Sequence, residues 1–200
     1  MSNILKADVS ITGLRPLLIN HFGPDCLPLT KIERKGVAGN NPDEWQKTVL
    51  YDEKKQLYLE PSYIFACIRD GAKYTKKGRG SLQSSVTATL QVIDDKIYID
   101  RYLPDDITTD PTQPVYLDIR SVKNPSTKSR NIRYRIAISK DWHIHFSVSW
   151  DKTIVSRDQL NSILIDSGMF CGLGDGRSIG FGRFEVTNFE VNDNAKEKTA

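Results

Sequence analysis

Hydrophobic and polar residues alternate most strictly over residues 130–150. Ile132, Tyr134, Ile136 and Ile138 alternate with Arg133, Arg135, Ala137 and Ser139. Trp142, Ile144, Phe146, Val148 and Trp150 then alternate with His143, His145, Ser147 and Ser149. A period of two is that of a half-buried strand, so two strands are predicted, joined at Ser139-Lys140-Asp141. The apolar positions are even-numbered on both, and partners across a hairpin share a face. An odd-length loop is then required, and three residues at 139–141 satisfy it. Such a hairpin places Arg133, Arg135, His143 and His145 together on the face opposite the core.

Ala7 to Leu14 alternates and predicts a first strand, and the turn-rich residues 20–48 predict a long loop. Leu57 to Leu59 reads as a short strand. Pro61-Ser62 opens a helix to about Tyr74, in which Ile64, Ile68 and Ala72 recur at four and Phe65 and Cys67 widen the stripe. Its exit, KKGRGS, is basic. Val86 to Val92 and Lys96 to Tyr102 predict two strands around Asp94-Asp95, and residues 103–114, acidic and proline-bearing, a loop. Ser156 caps a second helix whose stripe is Leu160, Ile163, Leu164 and Ser167. A glycine-rich loop follows, Phe184 to Val191 closes as a strand, and 192–200 is a polar tail expected to be disordered.

There is no internal repeat. The order compresses to βαββαβ, the split arrangement of an α+β, ferredoxin-like (RRM-like) domain. One such domain over residues 1–191 is expected, with 103–131 as a basic, proline-bearing insertion. A length of 200 residues suits this.

Net charge is only +3, so bulk charge does not announce nucleic acid, and its distribution matters more. Cys26, Cys67 and Cys171 are odd in number and widely spaced, which reads as reduced thiols in a cytoplasmic protein. No apolar run approaches the ~18 residues of a membrane span, and MSNILKADVS lacks a signal peptide's features. No cofactor is implied.

Three groups of residues carry candidate chemistry. The first is GMFCGLGDGRSIGFGRFEV at 168–186, where Gly172, Gly174, Gly176, Gly180 and Gly182 are five of the chain's thirteen glycines. Such a loop could offer backbone N–H groups to phosphate, with Ser178, Arg177 and Arg183 beside them. A helix precedes it and a strand follows, the reverse of a dinucleotide fingerprint or P-loop. The alternative is a tight αβ connection, although those usually need only ~2–6 residues. The second group is Arg120, Lys123, Lys128, Arg130, Arg133, Arg135 and Lys140, with no acid between Asp118 and Asp141. It suits phosphate-backbone binding or, alternatively, a charged solvated strand face. The third comprises His143 and His145, which lack a third ligand for metal, and His21, a conceivable general base near Asp25. No spacing suggests a Ser-His-Asp or paired-carboxylate site.

The stretch GLGDGRSIGFGRFEV, between a helix and a last strand, resembles the glycine-rich loop of the RAMP superfamily, the repeat-associated RNA-binding proteins of CRISPR systems. VLYDEKKQLYLEPSYIFACIRDGAKY is similar to the segment where such proteins enter their first helix, with Pro61 and Ser62 kept and a glycine missing. The resemblance spans most of residues 5–191 and is most like a small effector-backbone subunit. It implies binding of guide RNA, stacking with copies of itself or other effector subunits, and a thumb at 103–131. The RNA-binding residues expected are Arg120, Lys123, Lys128, Arg130, Arg133, Arg135, His143, His145, Gly174, Gly176, Arg177, Ser178, Gly180 and Arg183. Some such subunits cleave RNA with an aspartate in the loop after the first strand, the loop that holds Asp25, but no catalytic residue is assigned here. The alternatives are a metal-independent endoribonuclease and a phage or mobile-element nucleic-acid-binding or interaction protein. A membrane partner is not expected.

Overall fold

The computed structural model describes residues 3–23, 42–123, 126, 128 and 130–192. The first half holds β1 (Ile4–Gly13), β2 (Leu17–Ile19), α1 (Glu44–Thr48), β3 (Gln56–Leu59), α2 (Pro61–Gly71), β4 (Lys76–Lys77), β5 (Gly80–Ser81), α3 (Gln83–Thr89), β6 (Gln91–Val92) and β7 (Ile97–Tyr102). There follow β8 (Val115–Lys123), β9 (Arg130–Ile138), β10 (His143–Asp151), α4 (Arg157–Asp166) and β11 (Phe184–Asn192). The larger sheet has the order β11-β1-β10-β7-β3, with β6 also on β10, and a second sheet has the order β2-β9-β8. All these pairings are antiparallel.

Alternation decides which face of the larger sheet is covered. Ala7, Val9 and Ile11 of β1 lie opposite Val148, Phe146 and Ile144 of β10, and all six are buried. Ile64, Cys67 and Ile68 of α2 and Leu160, Ile163 and Leu164 of α4 join them in one core. Pro61 opens α2, where its missing N–H costs nothing. At α4, Ser156 Oγ accepts from Gln159 N at 3.2 Å and Gln159 Oε1 accepts from Ser156 N at 2.9 Å, a reciprocal cap.

The predicted hairpin at 139–141 does not form. β9 and β10 belong to different sheets, and each pairs with the opening of the chain instead: β10 with β1, β9 with β2. The register is continuous across the break, with Thr12 opposite His143 and Leu17 opposite Ile138. One long antiparallel ribbon is therefore bent where Trp142 is inserted. The Trp142 ring is fully buried, and its Nε1 donates to Arg15 O at 2.9 Å. A Cβ on Gly13 would lie 2.1 Å from that ring, so only glycine admits it. Asp141 takes a positive φ of 64° at the same corner.

Three further expectations change. Val86 to Val92 is mostly helix α3, followed by a two-residue strand. Leu82, Val86 and Leu90, the N-cap, a helix position and the C-cap, are buried four apart, a helical spacing inside a short apolar run. The helix expected to reach Tyr74 ends at Gly71. Within 103–131, residues 115–123 are strand β8, and 124, 125, 127 and 129 lie outside the described residues. The long loop expected at 20–48 falls mostly outside them too (24–41), and its described end is not loop but helix α1, Glu44–Thr48; most of the tail, 193–200, also lies outside.

Candidate nucleic-acid interface

Ile136 and Ile138 of β9 face the main core, as the alternation predicts, whereas Ile132 at the outer end of the strand is exposed. The odd-numbered face is not simply open to water. Ala137 is flanked by Leu18 and Tyr116, and all three pack with Phe181 of the glycine loop. One pair further out, Arg135 lies opposite Asp118, and both are buried. Arg135 Nη2 donates to Asp118 Oδ2 at 3.2 Å and Nη1 to Asp175 Oδ2 at 2.8 Å. The expected exposed cation is therefore only 3% exposed and holds the glycine loop against β9. The next pair, Arg120 opposite Arg133, sets two cations side by side. Arg120 Nε donates to Asp118 Oδ2 at 2.8 Å, and its guanidinium lies 4.6 Å from the Phe181 ring centre. The Asp118 hydrogen bond pushes the Arg120 pKa above its ordinary value.

The glycines answer to the protein's own backbone. A Cβ on Gly174 would lie 2.3 Å from Leu18 O, on Gly182 1.9 Å from Leu173 O, and on Gly172 2.7 Å from Phe181 O. Several loop N–H groups are used internally as well: Asp175 N donates to Leu18 O, Gly182 N to Pro16 O, and Gly176 N to Asp175 Oδ1. A general phosphate nest is thus not what these glycines build. Gly176 and Gly180 differ, flanking a 3-10 turn of Arg177, Ser178 and Ile179 with φ of 69° and 92°.

Asp175 is the acid inside this basic loop. Burial pushes its carboxyl up, but hydrogen bonds from Arg135, the Gly176 N–H and Asn20, with the Arg135 charge, hold it below the usual carboxylate range. On the other side of the turn, Arg177 Nη1 lies 3.5 Å from Asp70 Oδ2 of α2, and Lys73 Nζ 3.2 Å from Asp70 Oδ1. Burial raises Asp70, and the Lys73 and Arg69 hydrogen bonds then take it below the usual range. The loop is thus tied to both β9 and the end of α2.

Between these elements opens a cleft of about 780 Å³. The two basic groups of the sequence converge on it: Arg120, Lys123, Arg133 and Arg135 from β8 and β9, Arg177 and Arg183 from the glycine loop, with Lys73 added from behind α2. Against seven cations the lining holds two carboxylates, Asp70 and Asp175. That excess is larger than the net charge of the whole chain, +3. Even with Asp118 counted, the cleft is a positive field. Arg183 Nη1 is buried there without a hydrogen-bond partner among the described residues. Gly174, Gly176 and Ser178 also line the cleft.

Other expected site residues lie elsewhere. His143 and His145 are on the open face of the larger sheet, where their Nδ1 atoms meet Thr12 Oγ1 at 2.9 Å and Ser10 Oγ at 3.2 Å. They share no face with Arg133 and Arg135, because β9 and β10 diverge at the bend. Lys128, Arg130 and Gly180 are not in the lining. His21 Nε2 lies 3.8 Å from Glu60 Oε1, away from the cleft, and Asp25 is outside the described residues. Cys67 and Cys171 are free thiols, and Cys26 is outside the described residues. Among the described residues no three His, Cys, Asp or Glu side chains cluster to hold a metal, and no helix is long and apolar enough to cross a membrane.

Neither a protein-family model nor a curated protein matches the sequence. Among solved structures, a chain of the type III-B Cmr-beta complex bound to cognate target RNA aligns over 94% of this chain at 16% identity, with a TM-score of 0.49. This chain spans 60% of that one's length. A chain of a type IV-B CRISPR complex aligns over 98% of this chain and 93% of its own, at 14% identity and a TM-score of 0.44.

Proposed function

We propose that this chain is an RNA-binding subunit that grips the sugar-phosphate backbone of single-stranded RNA in the cleft between β8–β9, the glycine loop and the end of α2. One observation carries the reading: cations remote in sequence converge on a single open cleft whose positive excess exceeds that of the whole chain. Such a stripe is the footprint of phosphate recognition. One detail supports it. Arg183 Nη1 is a buried donor lacking an acceptor, which is costly until one is supplied.

The order β11-β1-β10-β7, with α2 and α4 in the crossovers, supports a ferredoxin-like core. β8 and β9 then read as its insertion, a ribbon whose outer half exposes Ile119, Val122 and Ile132. With the RAMP-like glycine loop, this favours an effector-backbone subunit stacking head-to-tail along guide RNA. The test is equilibrium binding of a short unstructured RNA to the wild type and to Lys123→Glu. The charge reversal weakens binding at least tenfold. Equal affinity overturns the assignment of the cleft.

A further inference from the structure

Two aromatic side chains stand in the cleft wall beside the cations. Tyr74 and Phe170 both line it, with ring centres 4.8 Å apart and planes inclined at 48°. They remain 52% and 45% exposed. Tyr74 follows α2, and Phe170 belongs to a π-helical turn, Ser167–Cys171, that joins α4 to the glycine loop.

The local sequence builds this pairing at some expense. A Cβ on Gly71 would lie 2.1 Å from Ser167 Oγ, and one on Gly168 would lie 2.2 Å from Phe184 O. The end of α2 and the π-helical turn therefore approach as closely as glycine permits. Ser167 Oγ donates back to Ile163 O at 2.6 Å, fixing the turn. A π-helical turn is a rare departure from the α-helix and frequently occurs at functional sites. Here its consequence is that Met169 and Phe170 point outward while Ser167 and Gly168 stay buried.

Exposed aromatic rings in a cationic cleft match one chemistry above others. An unpaired nucleobase offers a π-face to the rings while its phosphates meet the guanidinium and ammonium groups. A duplex presents no free base face, and an acidic peptide would satisfy the cations without using the rings. We infer that Tyr74 and Phe170 form a stacking platform for an unpaired base, so that the cleft selects single-stranded over duplex RNA. The inference rests on the RNA-binding reading of the same cleft and adds what the backbone contacts cannot supply, a preference for free bases.

The experiment compares affinities by fluorescence anisotropy for two single-stranded RNAs of equal length, one ordinary and one abasic throughout its middle, and for a duplex. The wild type binds the ordinary strand about tenfold more tightly than the abasic one. In Phe170→Ala the ratio falls to about one, and Phe170→Trp restores it. Tyr74→Ala, on a separate element, gives the same loss, which guards against a folding defect in one variant. Equal wild-type affinity for the two strands, or an equal loss on both in Phe170→Ala, overturns the platform while leaving backbone binding standing. Tighter binding of the duplex than of the ordinary strand overturns the selectivity. Failure to bind any of the three overturns the RNA-binding reading together with it.

Discussion

Arg135 and Asp175, forty residues apart in sequence, meet at 2.8 Å and fasten the glycine loop to the middle strand of the smaller sheet. The contact assigns Arg135 to architecture, with Asp118 as its second acceptor. Removing one member of a buried charge group leaves the others uncompensated, so Arg135→Ala is expected to cost about 3 kcal/mol of stability. Arg133→Ala, one cross-strand pair further out, costs about 1 kcal/mol or less. Chemical denaturation of both variants checks this. Equal costs would show that the buried group does not hold the loop.

The glycines of the loop are expected to divide in the same way. Gly182→Ala places a Cβ 1.9 Å from Leu173 O, so it destabilises by about 4 kcal/mol or more. Gly180→Ala meets nothing within 4 Å and suffers only its left-handed backbone, φ 92°, about 1–2 kcal/mol. Thermal melts of the two variants would read the difference directly.

Local signals were legible where local physics decides. The period of two over 130–150 placed β9 and β10, and the Ser156 cap with its apolar stripe placed α4. The hairpin between β9 and β10 was misread because parity constrains a turn only if both strands share a sheet. At the bend they pair instead with β1 and β2, more than a hundred residues away, while β9 also pairs along its length with β8. α3 was misread because a seven-residue helix has too few positions to separate period two from period four. The convergent cations were legible from the spacing of the acids. The burial of Arg135 was not, since it depends on Asp118 across the strand pair and on Asp175 in a distant loop. A signal was present: Asp175 is the acid in an otherwise basic, glycine-rich stretch. Tyr74 and Phe170 gave no sequence signal, because an aromatic at a helix end is as often packed as exposed.

Acid should loosen the loop through Asp175. Its folded-state pKa is depressed, so its contribution to stability is present above the ordinary carboxylate value, about pH 4, and is lost as pH falls through the folded value. Asp175→Asn removes that contribution. Its stability should therefore fall less than the wild type's between about pH 5 and pH 3, as read from urea midpoints. An identical fall would mean that Asp175 is not linked to folding.

The bend at Trp142 separates the histidines from the cleft. His143→Ala and His145→Ala are expected to leave RNA affinity unchanged, whereas Arg177→Ala weakens it several-fold. Anisotropy titrations of the three variants check the partition. Loss of affinity in the histidine variants would move the interface to the open face of the larger sheet.

The central claim is that phosphates are held by the cleft cations. Its most direct test is the salt dependence of binding to a single-stranded RNA by the wild type and by Lys123→Ala/Arg133→Ala. Affinity should fall linearly on a log–log plot, and the double variant's slope should be shallower by about 0.7 for each phosphate contact removed. A wild-type affinity that stays constant from low to high salt would contradict the account.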